Sequence, residues 1–295
     1  MNCTAAASRW LAILALFLAG QALAAGPIVL TDAAHRELRF DEPPRRIVSL
    51  LPSLTESVCE LGECARLVAT DSFSNWPVSV RSLPKAGGLD DVQVEQVLRA
   101  RPDVVLLARA PRARDQLRSL GLVTFEFESD SYADIARNIT TVGLMLGVPE
   151  RARSLNARIE NSVTEVAAEA RRGLAGRSPL VYYEVDNGPY GAGPESFVGE
   201  ELRRLGARNI LAPDLGPFPK LNPEYVVRAN PDVIIISPDE APDLVHRPGW
   251  SQIRAVREQR ICSFPPEVRD TVLRPGPRIA TGLKALADCL TRVSP

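Results

Sequence analysis

Few residues in this chain are placed to do chemistry. Asp270 and Arg274 stand four apart in "EVRDTVLRPGPR", a carboxylate and a guanidinium that can reach polar groups of a ligand or pair with each other. Phe73 and Trp76 lie in "DSFSNWP", Tyr190 in "NGPYGAGPES" and Phe218 in "GPFPK"; aromatics make up only 5% of the chain, yet these four fall on predicted connections. Aromatic faces bury much area at low entropic cost and suit a large flat ligand, although the same rings also serve as plain packing over sheet ends. Covalent and metal chemistry find little support. His35 and His246 are the only histidines, and the cysteine spacings fit no zinc pattern. There is no G-x-S-x-G elbow and no H-E-x-x-H, and "GAGPES" holds Gly191 and Gly193 without the rest of a dinucleotide fingerprint. The expectation is a binding protein, not an enzyme, with no cofactor and no metal.

Composition agrees with that class. The 295 residues are 45% hydrophobic and 24% charged with a formal net charge of −1, which gives no electrostatic case for nucleic acid or an anionic membrane. The first 25 residues read as a signal peptide: Arg9, an apolar run from Trp10 to Leu18, and Ala22-Leu23-Ala24 before cleavage after Ala24 or Ala25. No later segment has roughly 18 consecutive apolar residues, so a soluble mature protein is expected. An exported chain meets an oxidising compartment, and it keeps Cys59, Cys64, Cys262 and Cys289. Four cysteines allow three pairings. Gly62 can fold the chain back at a helix end and bring Cys64 to Cys59, while Cys262 falls on a late strand and Cys289 in the last helix, so 59–64 with 262–289 is the pairing expected.

The elements that must position these residues alternate. "IVLTDAAHRELRF" reads as a β-hairpin, "RIVSLL" as a buried strand, and "PSLTESVCELG" as a helix that Ser53 caps and Glu56 completes as a capping box. Strands and helices alternate to Gly147, the pattern of an open, mostly parallel sheet. "VPERARSLNARIENSVTEVAAEARRGLAG" is then one long helix with Leu155, Ile159, Val163 and Val166 on one stripe. The alternation restarts at Pro179, and "EVRDTVLRPGPR" is a loop before the final helix, with Arg278 against its own lobe's backbone. The halves even share a string: "VEQVLRARPDVVLL" from Val94 to Leu107 and "PEYVVRANPDVIII" from Pro223 to Ile236. The expected architecture is α/β: a Rossmann-like N-terminal lobe with its hairpin at 26–147, a rigid linking helix at 148–173 that permits little hinge motion, and a C-terminal lobe at 174–295. Ligands of such sheets sit beyond the carboxyl ends of the strands, here a cleft between lobes.

In order and spacing, "RRIVSLLPSLTESVCELG", "PKAGG", "EQVLRARPDVVLL", the long midway helix, "GARNI" and the final "PRI" helix resemble the class III periplasmic substrate-binding proteins of ABC importers for cobalamin, ferric siderophores and haem. The likeness runs over the whole mature chain and is greatest to the cobalamin-binding members. It implies a monomer that holds cobalamin or a related corrinoid and delivers it to an inner-membrane permease dimer. It places Phe73, Tyr190, Phe218, Asp270 and Arg274 at the ligand. Trp76, in the same loop as Phe73, joins them as a candidate. The likeness also implies that Glu95 and Glu224, one at the start of each repeated helix, meet arginines of the two permease subunits; an acid there also suits the helix dipole alone. The pattern departs at Thr271-Val272, where those members carry aromatics, and at Leu89-Asp90-Asp91, where they carry a tryptophan, and the disulfide is placed differently. A ferric siderophore or haem carrier on the same frame is the alternative reading, and a secreted enzyme a remote one.

Overall fold

Two short parallel sheets organise the chain. The computed structural model describes residues 26–88, 91–186 and 190–294. The signal peptide, like Leu89 and Asp90, lies outside the described residues. Lobe one opens with the antiparallel hairpin β1 (Ile28–Thr31) and β2 (Glu37–Phe40), followed by β3 (Ile47–Ser49), helix α1 (Pro52–Glu60), β4 (Leu67–Thr70), α2 (Val94–Ala100), β5 (Val104–Ala108), α3 (Pro111–Ser119), β6 (Thr124–Phe127) and α4 (Tyr132–Met145). Helix α5 (Pro149–Gly173) follows. Lobe two contains β7 (Leu180–Asp186), β8 (Tyr190–Gly191), α6 (Phe197–Arg204), β9 (Arg208–Asn209), α7 (Pro223–Ala229), β10 (Val233–Ile235), the short α8 (Arg254–Arg257), β11 (Ile261–Cys262), α9 (Pro266–Leu273) and α10 (Ile279–Val293).

The sheets have equivalent topology. Lobe one runs β4-β3-β5-β6, all parallel; lobe two runs β9-β7-β10-β11, also parallel, with β8 added antiparallel to β7. The doubled string explains itself locally. Arg101 and Asn230 sit in the left-handed region at φ 44° and 48°, ending α2 and α7 just before each proline. The aspartate after each proline then holds the neighbouring strand: the Asp103 carboxylate accepts the Arg45 and Arg46 amides at 2.7 and 2.8 Å, and Asp232 accepts the Leu180 amide at 2.9 Å.

One apolar core runs through both lobes. It joins Ile47, Leu54 and Ile139 to Val181, Phe197 and Leu283 through Leu155, Ile159 and Val163 of α5, the stripe expected from the sequence; Val166 packs at its edge. Separate cores cover the outer face of each sheet. Helix α5 is therefore packed along much of its length, against α4 and α10, rather than a bare connector.

Both expected disulfides are present, Cys59–Cys64 and Cys262–Cys289. The second ties β11 to α10 across a separation of 27 residues, the first spans only 5. Loop-closure entropy assigns about 3.5 kcal/mol to the longer link and about 2 kcal/mol to the shorter. The paired change C262A/C289A is expected to lower the denaturation free energy by about that larger amount, and C59A/C64A by less; denaturant titration of both variants checks the order.

Helix α6 buries an acid. Glu201 is fully enclosed and neither carboxyl oxygen has a hydrogen-bond partner among the described residues. Burial pushes its pKa well above the ordinary 4.5, so the folded state holds a proton that the unfolded chain releases. The raised pKa means stability falls as pH rises above 4.5 toward the folded value. Glu201→Gln is therefore expected to stabilise the protein more at pH 8 than at pH 4, read from thermal midpoints at the two pH values.

Two sequence expectations change here. Helix α1 begins at Pro52 with Leu51 as N-cap, so Ser53 is inside the helix and makes no cap, and its hydroxyl has no partner among the described residues. Proline at the first helical position fixes the start two residues earlier than a Ser53 cap would. Glu56 thereby turns onto the buried face. The segment "PEVRDTVL" is helix α9, not loop. Pro266 opens it at its first turn, the position where proline favours a helix.

Candidate functional site

The loop after β4 is built as a rigid platform. Asp71 is buried and accepts the Phe73 and Ser74 amides at 2.7 and 2.9 Å, together with the Ser74 hydroxyl. Burial raises its pKa against the pull of those hydrogen bonds. Lys85 clamps the same loop, donating to Thr70 Oγ1 at 2.8 Å and to the Ser74 carbonyl at 2.7 Å; burial lowers its pKa. With its backbone fixed in this way, the loop turns Phe73 outward, 67% exposed, with Trp76 40% exposed beside a cis Trp76–Pro77 peptide.

In lobe two, Tyr190 sits on β8 at the carboxyl end of β7, 36% exposed, and Phe218 follows β9, 41% exposed. They form a second group. Tyr190 bridges to Lys220, whose ammonium lies 5.7 Å from the ring centre, and Phe218 packs on Phe197 at 6.4 Å. Ser196 caps α6 below them, accepting the Gly199 amide at 3.0 Å. No ring–ring contact joins this pair to Phe73 or Trp76 among the described residues.

Asp270 and Arg274 do meet the first group, across the two lobes. They pair with each other at 2.8 Å. Arg274 also donates to the Phe73 carbonyl at 3.0 Å and to Asn75 Oδ1 at 2.8 Å, and the Asn75 amide donates to Asp270 at 2.8 Å. So the loop after β4 in lobe one and helix α9 with its C-cap in lobe two join on a charged seam.

Glu56 and Arg278 close that seam, and the sequence reading placed neither there. Glu56, 2% exposed at its side chain, accepts Arg278 Nη2 at 2.6 Å and Nε at 2.9 Å, and Arg274 Nη1 at 3.2 Å. Arg278 also lies over the Trp76 ring at 5.1 Å. It does not pack on its own lobe's backbone, because a buried carboxylate in the other lobe offers a bidentate partner. Gly276 makes the approach possible: a Cβ there would fall 2.9 Å from Ser53 Cβ. The Pro-Gly-Pro spacing around Arg274 and Arg278 was the available signal.

Glu95 and Glu224 are exposed in the first turns of α2 and α7, and neither carboxylate has an ion-pair partner among the described residues. Both helices start on the carboxyl-end side of their sheets, the side of the aromatic loops. His246 is on this side too. It lies on the connection that leaves the carboxyl end of β10, next to Arg247, which holds Glu184 at the end of β7 through two bonds of 2.8 Å. His35 is in the hairpin turn.

Two parallel sheets of like topology, a packed linking helix and aromatic loops at the joined ends define a two-lobed binding protein. The sequence profile of the periplasmic binding protein family matches residues 47–268, and the chain belongs to that family. An uncharacterized ABC transporter substrate-binding lipoprotein of Bacillus subtilis, YvrC, is 28% identical over 273 residues, which cover 90% of this chain and 85% of that protein. A cobalamin-binding protein of Halobacterium salinarum is 29% identical over 216 residues, 71% of this chain but only 58% of that longer protein. Among solved structures, the apo form of the periplasmic heme-binding protein RhuT from Roseiflexus sp. RS-1 aligns with a TM-score of 0.74 and 27% identity, covering 84% of this chain and 98% of that one.

Proposed function

We propose that the protein is the substrate-binding component of an ABC importer, exported by its signal peptide to the periplasm, and that it carries cobalamin or a related corrinoid as a monomer. The observation that carries this reading is the set of exposed rings, Phe73, Trp76, Tyr190 and Phe218, on loops beyond the carboxyl ends of both sheets. Surface aromatics on a platform pinned by buried Asp71 have no folding reason to face water. Rings from two lobes suit a broad, flat, partly apolar ligand, with Asp270 and Arg274 offering a carboxylate and a guanidinium to its polar rim. The Halobacterium relative supports the corrinoid. No step of chemistry is assigned to these residues.

Haem is the second reading. The Tyr190 phenol and the His246 imidazole both lie on carboxyl-end connections, where either could serve a ferric ion. Titration calorimetry and absorption spectra with cyanocobalamin, cobinamide, ferrichrome and haemin separate the two. One-to-one heat with cyanocobalamin at micromolar protein is the expected result. Silence toward both corrinoids together with a shifted haemin spectrum would overturn the corrinoid assignment in favour of haem.

A further inference from the structure

Beyond the carboxyl ends of β7 and β10 lies a hollow of about 320 Å³, and the charges on its wall do not balance. Two of the three charged residues that line it are neutralised. Glu184 is held by Arg247 through both carboxyl oxygens at 2.8 Å and accepts the Tyr182 hydroxyl at 2.9 Å. Asp270 is paired with Arg274 at 2.8 Å. The third, Arg269 on α9, is half-buried, lines the same hollow and has neither an acid nor any hydrogen-bond acceptor at its side chain among the described residues. A guanidinium stays charged at any physiological pH.

Two hydroxyl-bearing residues share that wall with Arg269. Tyr183, in the middle of β7, and Ser237, just past β10, both line the hollow, and neither hydroxyl makes a hydrogen bond among the described residues. Burial pushes the Tyr183 pKa up, so its phenol remains a donor. A guanidinium and two hydroxyls that meet no protein acceptor are the groups an oxyanion recruits, and a partly enclosed wall makes such charge-assisted bonds stronger than in open water.

We propose that Arg269, with the hydroxyls of Tyr183 and Ser237, forms an anion subsite in lobe two that takes a singly charged phosphodiester or carboxylate substituent of the ligand. This rests on the reading of the joined lobe ends as the ligand site. A phosphodiester would come from the nucleotide loop of a complete corrinoid; a carboxylate would come from a haem propionate. In either case the subsite ranks ligands by charge where the exposed rings rank them by area.

The experiment compares wild type, Arg269→Ala and Tyr183→Phe by titration with cyanocobalamin and with cobinamide, which lacks the phosphodiester, and with haemin and its dimethyl ester. Arg269→Ala is expected to weaken the anionic member of the pair that binds by about tenfold to a hundredfold and to leave the uncharged-rim analogue unchanged, with Tyr183→Phe giving a smaller loss in the same direction. Loss confined to cyanocobalamin assigns the phosphodiester; loss confined to haemin assigns the carboxylate. Equal effects on both members of the pair, or none on either, would overturn the subsite while the ligand site stands. If wild type binds none of the four, the ligand reading fails, and the subsite is decided by soaking crystals with dimethyl phosphate. Density bonded to Arg269 in wild type and absent in Arg269→Ala supports it, and an empty hollow in both refutes it.

Discussion

Charge reversal at both repeated acids, E95R/E224R, is expected to stop delivery of ligand to the permease while leaving ligand affinity as in wild type. Each glutamate lies in the first turn of a short helix, exposed, without an ion-pair partner among the described residues, at the same point of two lobes with the same topology. The helix dipole gives each acid a local reason to be there, worth about 0.3–1 kcal/mol, so reversal should disturb folding little. What the dipole does not require is a matched pair spaced across the molecule on the side that carries the aromatic loops. A permease made of two equivalent halves has a use for that spacing. The measurement pairs calorimetric titration with uptake into proteoliposomes containing the cognate permease and its ATPase. Uptake at the wild-type rate would remove the docking role, and lost ligand binding would show that the acids serve the site instead.

Removing the Glu56 carboxylate is expected to cost more than any surface change. Glu56→Ala leaves Arg278 without its bidentate partner and Arg274 with one acid fewer, in a seam where both guanidinia are mostly enclosed. Breaking a buried ion pair from one side costs about 3–5 kcal/mol, because the orphaned charge keeps its desolvation penalty. At roughly 2 °C per kcal/mol for a chain of this size, the thermal midpoint should fall by on the order of 10 °C. The double variant E56L/R278M should recover part of the loss, since no orphan remains and Arg274 retains Asp270 at 2.8 Å. A double-mutant cycle reads the coupling directly. A shift below about 1 kcal/mol for Glu56→Ala would mean that water reaches the seam and screens it.

Much of this architecture was legible because it is written in periodicity. The stripe of Leu155, Ile159 and Val163 announced a long packed helix, and the repeated Pro-Asp strings announced two equivalent lobes. The cysteine pairing followed from placing Gly62 at a helix end and Cys289 in the last helix. What stayed hidden were long-range polar contacts. Glu56 and Ser53 have the spacing of a capping box, and only Pro52, one residue earlier, tells that the box is not used. Arg278 was read as local because sequence carries no sign of a partner 222 residues away. The placement of Asp270 and Arg274 beside each other was visible from their spacing, but their joint contact with Asn75 and the Phe73 carbonyl was not. The helical state of "PEVRDTVL" was masked by Pro265 and Pro266, which read as breakers although proline favours a first turn.

The reach of Glu56 also sets an order of events during synthesis. A chain emerges amino end first, and domains tend to fold as they appear. Lobe one can form its sheet while the rest is still being made, yet its buried carboxylate must wait for Arg274 and Arg278, 218 and 222 residues downstream. Until then it faces water, and α1 stays unsealed on that side. A segment made long after the first lobe thus completes it, so a ribosome that stops before Arg274 leaves a first lobe whose seam is open.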